Sequence, residues 1–575
     1  MGTISDKLMR IINTKEDIRQ ALISKGYDVP TSIPFKEYAK MILDLPCKAD
    51  SFPDIEGIVA RYSASGLTNE QMAANPVWVD KTGNGHDLQL KKFAWKGMSG
   101  VGGYVADIDE WGTNSTAAYF ERNSIKITAT FKENVSLGLL YHNIKLRQSC
   151  VLKVTGIPEG CDAFLDDRLG NRFYMSEDGV YGIIPSNFLA EALYFSIEKY
   201  PERWYGSKLT IEQLPLYPGA LVFDGVDDYG VCDNFPILTK EKGYTVVVLG
   251  QWDQDFLNTT LTGGLLSTRN YSTGEGVAFE KIESSNKGYW NLGAGGIIDF
   301  AKSPFTWQTS KQYNNVGILK GDKNHGKPLC VGCGLSGGQQ CGRFAIWELV
   351  FLDHDATEEE LTKIKDYFVK TYPWLFPDQA WTVVGKTNED EDRATIANIT
   401  GNGNDLVLSN FGFAEGSGYN EEGEYAGYLV TDGVDDKIIS SIFKMGNDWT
   451  VIGDWELINT GKNDNAGIVK FDSIVIYNYN YNSVLINIKN GRNILIPDQN
   501  TVNAICSDGR IYSKDWKESI YNEETESTSK NFLTIGYSGN AYTKIAFKNL
   551  AIYPTVLSRE DCIKAYNYLQ TLKAK

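Results

Sequence analysis

Five blocks of this chain occur twice in the same order, and that self-similarity limits the fold more than any other feature. Asp80-Lys-Thr-Gly-Asn-Gly-His-Asp-Leu88 returns as Asn398-Ile-Thr-Gly-Asn-Gly-Asn-Asp-Leu406. Gly219-Ala-Leu-Val-Phe-Asp-Gly-Val-Asp-Asp228 returns as Gly427-Tyr-Leu-Val-Thr-Asp-Gly-Val-Asp-Asp436. Tyr244-Thr-Val returns as Trp449-Thr-Val, and Phe344–Phe351 as Ile545–Ile552. Each copy closes on a helix start, at Thr357 and at Ser558. Thr82 and Thr400 are 318 positions apart but Asp224 and Asp432 only 208, so the first copy carries 110 extra residues. This insert, about residues 97–214, has its own β-branched and aromatic runs at 124–131, 150–154, 172–174, 193–197 and 208–214. Turn signals such as Pro158-Glu-Gly and Glu177-Asp-Gly separate them, the pattern of a small β-sandwich.

Length then sharpens the domain count. A chain of 575 residues suggests about three to five domains, and the repeat predicts four: 1–50, a helical segment; 51–96 with 215–376, the first repeat; 97–214, the insert; and 377–575, the second repeat. Basic residues number 56 against 73 acidic ones, a net charge of −17, which disfavours nucleic acid and anionic membranes as partners. Apolar runs are too short for membrane insertion. The start lacks an apolar signal core, so no secretion signal is expected. Nine scattered cysteines, an odd number, point to folding in a reducing cytoplasm rather than to a disulfide framework.

In residues 3–25, Leu8, Ile11, Ile18 and Leu22 recur at helical spacing, with Gly26 as a stop. A second short helix is predicted from about Pro34, with Phe35, Tyr38, Met41 and Ile42 on one face. The seam of Leu8, Ile11, Ile18 and Leu22 is a candidate oligomerisation or docking element, the alternative being simple packing on the next domain.

These residues carry two resemblances. The Thr-Gly-Asn-Gly-x-Asp turns, the Asp-Gly-Val-Asp-Asp hairpins and the late strand plus capped helix resemble the concanavalin A-like, laminin-G-like jelly-roll family, over about residues 55–95 with 216–375 and again 378–573. The second copy departs at Asn398 (for Asp80) and Thr431 (for Phe223). Ile4-Ser-Asp-Lys-Leu8, Thr14-Lys-Glu-Asp-Ile18, Ala21–Gly26 and Phe35-Lys-Glu-Tyr-Ala39 resemble the N-terminal segment of tailed-phage structural proteins, including those of the crAss-like group. The resemblances imply a mainly β chain: two concanavalin A-like jelly-roll sandwiches, the first with an inserted small β-sandwich, preceded by a short N-terminal helical hairpin.

Candidate functional residues follow from chemistry. Asp224, Asp227 and Asp228, and again Asp432, Asp435 and Asp436, offer carboxylates to Ca²⁺, the one candidate cofactor. The competing expectation is that these aspartates bond their own turn amides. Cys330, Cys333 and Cys341 with His325 form a weaker zinc candidate. Glycan platforms need aromatic faces, and Trp111, Trp290, Trp307 and Tyr271 in the first copy, with Tyr477, Tyr479 and Tyr481 in the second, are the candidates. Asp107-Ile-Asp-Glu110 is the nearest approach to a glycosidase carboxylate pair; it lies in the insert and has no counterpart in the second copy, so no catalytic residue is assigned.

The expectation is therefore a structural protein of a bacteriophage virion and not an enzyme: a head or tail fibre or decoration subunit exposing lectin-like modules for glycan or host-surface adhesion. Its expected partners are itself, as a homodimer or homotrimer, other virion proteins of capsid or tail, and host or mucosal glycans. It would fold in the bacterial host cytoplasm and end on the virion surface. A polysaccharide-degrading jelly-roll enzyme and a bacterial surface lectin are the alternatives.

Overall fold

The computed structural model describes residues 52–574 except 106–107, 134–137, 146–149, 184–191, 238–242, 254–255, 257–260, 269–277, 282–286, 291–295, 300–317, 321–327, 336–338, 422–424, 442, 445, 447, 459–466, 472–473, 480–482, 489–491, 497–501, 514–515, 517, 521–529, 532, 536, 539–540 and 573. The chain divides into two compact units, residues 1–54 and 55–575. The helical hairpin expected over 1–50, with Leu8, Ile11, Ile18 and Leu22, lies outside the described residues.

The larger unit is mainly β, 46% strand against 11% helix for the chain, and its sheets pack in sandwich-like fashion. Among the described residues no helix is long and apolar enough to cross a membrane. Its apolar side chains gather in three large cores. One unites residues 60–93 with 221–351, one spans 108–211, and one spans 381–552.

The first and third cores share a plan. The spine of the first is the strand Arg343–Leu352, buried along nearly its whole length. On one side it pairs with Thr245–Trp252. On the other it pairs with Leu221–Asp224 along its first half and Ile58–Ser63 along its second. The spine of the third core is Ile545–Tyr553, flanked by Thr450–Leu457 on one side and by Tyr428–Val430 and Gln379–Thr382 on the other. Burial on both faces explains the near-continuous apolar runs 344–352 and 545–553, where alternation would mark a half-exposed strand. The opposing sheets also match. Leu88–Lys91 and Leu406–Ser409 alternate buried and exposed residues, as strands with one wet face do.

Each spine leads to a capped helix. Thr357 and Glu360 form a reciprocal capping box ahead of Glu358–Thr371, which buries Leu361, Ile364, Tyr367 and Phe368. Ser558 Oγ accepts from the Asp561 amide ahead of Arg559–Leu569. In the first unit the helix is tied to the spine through polar groups. Arg61 donates to both oxygens of buried Glu348 (3.1 and 3.3 Å) and to the Tyr367 hydroxyl (2.8 Å), and Tyr372 donates to Glu348 (2.7 Å).

The insert enters at a hairpin. In the second repeat Gly418–Asn420 pairs with Tyr428–Val430 through a short connection, and Tyr419 faces Leu429. In the first, Val101 faces Leu221. These partners stand 10 and 120 positions apart, again a difference of 110. The junction falls a few residues later than the sequence suggests, because Gly97–Gly100 still belong to the host unit. The inserted segment forms two five-stranded antiparallel sheets. Its strands Lys126–Phe131, Cys150–Thr155, Arg172–Met175, Leu193–Glu198 and Lys208–Leu214 lie within two residues of the predicted runs.

Candidate functional site

The Thr-Gly-Asn-Gly turns are built on a single side chain. Asp80 Oδ1 accepts from the amides of Arg61 and Thr82 and from Thr82 Oγ1 (3.0, 3.0 and 2.8 Å), and Oδ2 accepts from the His86 amide (3.3 Å). Gly83 and Gly85 follow with φ of +78° and +79°. Asn398 repeats the first three bonds, to Ala380, Thr400 N and Thr400 Oγ1. Its amide nitrogen then donates to the Gly403 carbonyl. The Asp-to-Asn departure therefore exchanges one acceptor for one donor and leaves the turn intact. Thr431 is handled similarly: where Phe223 packs on Phe344 and Phe93, Thr431 Oγ1 donates to the Thr543 carbonyl and accepts from the Ile545 amide.

The two aspartate triads are also turns. Asp224 Oδ1 accepts from the amides of Val226, Asp227 and Asp228 (2.8, 3.3 and 3.4 Å), and Asp228 Oδ2 accepts from the Asp224 amide (3.1 Å). Asp432 and Asp436 repeat this with Val434, Asp435 and each other (2.7, 3.2, 3.4 and 2.7 Å). In both triads carboxylate oxygens of all three residues lie within 4.8 Å of one another, close enough to share a cation. The oxygens of Asp224 and Asp228 that turn inward already accept protein donors, however, and Ca²⁺ requires six to eight oxygens. Burial and the Asp224 carboxylate push Asp228 up to about 7, and burial pushes Asp436 up to about 6. The geometry therefore favours the turn-forming role.

A recurrent loop completes each turn, and sequence reasoning missed it. Ser99 Oγ donates to Asp228 Oδ1 (3.0 Å) and accepts from the Ala94 amide (2.7 Å). Ser417 does the same with Asp436 (3.1 Å) and the Gly412 amide (2.9 Å). Asn69 exchanges two bonds with the backbone of Val101, and Asn388 exchanges two with Tyr419. Trp95 and Phe413 occupy the left-handed region at φ +56° and +49°. That conformation costs a bulky residue energy, and here each ring packs on Phe93 or Phe411. The detectable signal was Phe93-x-Trp-x-x-x-Ser-Gly100 against Phe411-x-Phe-x-x-x-Ser-Gly418, at the same 318 offset as the Thr-Gly-Asn-Gly turns.

The first copy of this clasp borders a cavity of about 440 Å³, between the clasp and the insert. Lys96, Ser99 and Asp224 of the clasp face Glu110, Asn143 and Lys145 of the insert across it, and Arg343 of the spine strand completes the wall. Arg343 is fixed in place: its Nε donates to the Asp224 carbonyl (3.0 Å), and Nη1 lies 3.6 Å from Asp253.

The other candidates fall as follows. Trp111 also contributes to the cavity lining, yet it is 2% exposed and packs on Tyr141 in the insert core. A buried indole has no open face for a sugar ring, so Trp111 is corrected to a core residue. Trp290 lies on the strand Lys287–Trp290, and Tyr477 and Tyr479 on Ile474–Tyr479. Tyr271, Trp307 and Tyr481 lie outside the described residues. The zinc expectation is also corrected: Cys330 and Cys333 are joined as a disulfide beside buried Cys341, and disulfide sulfurs are not thiolate ligands. For these two cysteines the expectation of free thiols is corrected too. Of the Asp107–Glu110 group, Ile108–Glu110 is a single 3₁₀ turn.

No protein-family model matches the chain, and no curated protein matches it. Among solved structures it is similar to the receptor-binding domain of botulinum neurotoxin type G, at 11% identity over 33% of this chain and TM-score 0.22; the chain spans 50% of that domain's length. It is also similar to Trypanosoma rangeli sialidase in complex with sialic acid, at 7% identity over 78% of this chain and 83% of the other, TM-score 0.26. A botulinum mosaic serotype C/D receptor-binding domain overlaps 59% of this chain and 89% of its own, at 11% identity and TM-score 0.21. Superpositions this loose carry no functional argument.

Proposed function

We infer that this chain is a structural and adhesive protein of a phage particle, a head or tail fibre or decoration subunit. Its repeats are two concanavalin A-like, laminin-G-like jelly rolls, and residues 1–50 attach it to the particle or to further copies of itself. One observation carries the reading: residues 55–575 are a tandem of sandwiches locked by buried polar contacts, joined to an N-terminal segment that resembles those of tailed-phage structural proteins. Tyr568 of the second repeat donates to Gln251 of the first and packs edge-on to Trp347. Gly182 of the insert lies against Gln570 and Lys548. Repeats and insert packed on one another suit presentation of weak glycan sites in several copies. The test is to label purified particles with gold-tagged antibodies raised against residues 377–575. Regular labelling of head or tail is expected, and unlabelled intact particles would overturn the assignment.

A further inference from the structure

Resting on the reading that the β-units bind glycans, we propose that the cavity between the insert and the first repeat is a binding site for an acidic saccharide, one bearing a ring carboxylate. Its volume of about 440 Å³ falls within the roughly 300–1,000 Å³ typical of small-molecule sites. Its described lining carries three cations to two carboxylates, in a chain that is acidic overall. In a protein of net charge −17, Lys96, Lys145 and Arg343 converge from three separate segments on one concavity. Among the described residues two carboxylates line the space, Asp224 and Glu110, and a third, Asp253, pairs with Arg343. Asp224 Oδ1 is engaged by the amides of its own turn, while Glu110 is exposed on the wall and offers acceptors for ligand hydroxyls. A concave cluster of cations focuses potential and draws in anions.

The polar groups suit a sugar rather than a bare anion. Asn143, exposed on the cavity wall, supplies a donor and an acceptor from one amide. Its φ of +59° is a conformation that asparagine tolerates better than other non-glycine residues and that collects at ligand sites. Arg343 is held rigid by the Asp224 carbonyl and Asp253, so little side-chain freedom is lost when it meets a carboxylate.

The second repeat supplies an internal control. Its loop carries the same Ser417–Asp436 clasp, but Ala414 stands where Lys96 stands in the first. A short connection, 421–427, replaces the insert that brings Glu110, Asn143 and Lys145. The second repeat therefore lacks counterparts of Lys96, Glu110, Asn143 and Lys145.

The experiment titrates the intact chain calorimetrically with trigalacturonate and with its methyl ester, which keeps the rings and removes the charge. The acid should bind and the ester should bind about tenfold more weakly or worse, as expected when one charge-assisted contact is lost. Lys145→Gln and Lys96→Gln, both at exposed positions, should each weaken the acid about tenfold, and Lys145→Gln should leave the melting temperature unchanged. Equal binding of acid and ester, wild-type affinity in both variants, or no binding of the acid at millimolar concentration overturns the site. A glycan array run in parallel separates the two readings. If wild type and Lys145→Gln capture the same glycans, the cavity assignment is wrong and adhesion stands; if the wild type captures none, both are wrong.

Discussion

Lys548 offers the sharpest test of how the lobes are held together. Its ammonium is 1% exposed and lies 3.5 Å from Asp454, itself 9% exposed. It donates to Gln570 Oε1 (2.5 Å), while Gln570 Nε2 and the Tyr428 hydroxyl donate to Asp454 (3.1 and 3.2 Å). Gly182 of the insert leaves room for this group: a Cβ there would stand 3.2 Å from Gln570 Oε1 and 3.4 Å from Lys548 Nζ. Lys548→Met keeps most of the stem volume and removes the charge. At 3.5 Å and an effective dielectric of about 20, the direct attraction is about 5 kcal/mol, and desolvation of the pair offsets part of it. Removing one partner of a buried pair typically costs about 3–5 kcal/mol. Asp454 retains donors from Gln570 and Tyr428, which places the expected loss near the lower end, about 3 kcal/mol. For a lobe of this size that lowers the midpoint by roughly 6–12 °C. Differential scanning calorimetry of the full chain should show the second-repeat transition shifting by that amount and separating from that of the insert. Lys548→Met combined with Asp454→Leu removes both charges and should recover much of the loss. A single-variant shift below about 2 °C, or a double variant no better than the single, would refute the claim that the pair acts as a clasp.

The Asp228 and Asp436 carboxyls, raised to about 7 and about 6, bind protons more tightly in the folded chain than in the unfolded one. Their stabilising contribution is full below about pH 4 and is lost as pH rises towards 6 and 7; Asp228→Asn should flatten that part of a stability-against-pH curve measured by urea melts. Calcium at millimolar concentration should leave the midpoint at pH 7 within about 1 °C if the triads are turns, whereas occupancy at a hundred times the dissociation constant would add about 2.7 kcal/mol. Thr357→Ala should cost about 1 kcal/mol by removing the capping box ahead of Glu358–Thr371, read as a lower urea midpoint for the first-repeat transition.

What was legible in the sequence was whatever a local rule encodes. The strand runs of the insert, the capped helices at Thr357 and Ser558 and the 110-residue surplus were all readable, because alternation, capping residues and block spacing are properties of short windows. The clasp was not. Ser99 meets Asp228 across the insert, and in the first copy the intervening 128 residues hide a contact that the second copy displays over a much shorter span. Trp111 was misjudged for a related reason: an aromatic residue beside Asp and Glu reads as a surface feature, and only the packing of Tyr141 against it reveals a core position. The cysteines at 330 and 333 were read by spacing alone, which does not distinguish a metal site from a disulfide.

The place of the insertion explains why a cavity lies beside the first clasp. A domain inserted at a hairpin must leave both strand ends paired, and Gly100–Val101 still pairs with Val222–Leu221. That hairpin adjoins the loop of residues 92–100, which is pinned to the Asp224–Asp228 turn through Ser99. A new lobe growing from it must therefore rise beside the clasp. Two rigid walls meeting at a fixed angle leave a cleft. The close approach of Gly182 to Gln570 and Lys548 adds a second contact of the lobe far along the chain from the hairpin. Loosening that second contact, as Lys548→Met does, should therefore weaken acidic saccharide binding without touching any residue of the cavity. If Lys548→Met binds trigalacturonate as tightly as the wild type at a temperature where both are folded, the hairpin alone sets the cleft and the second contact serves stability only.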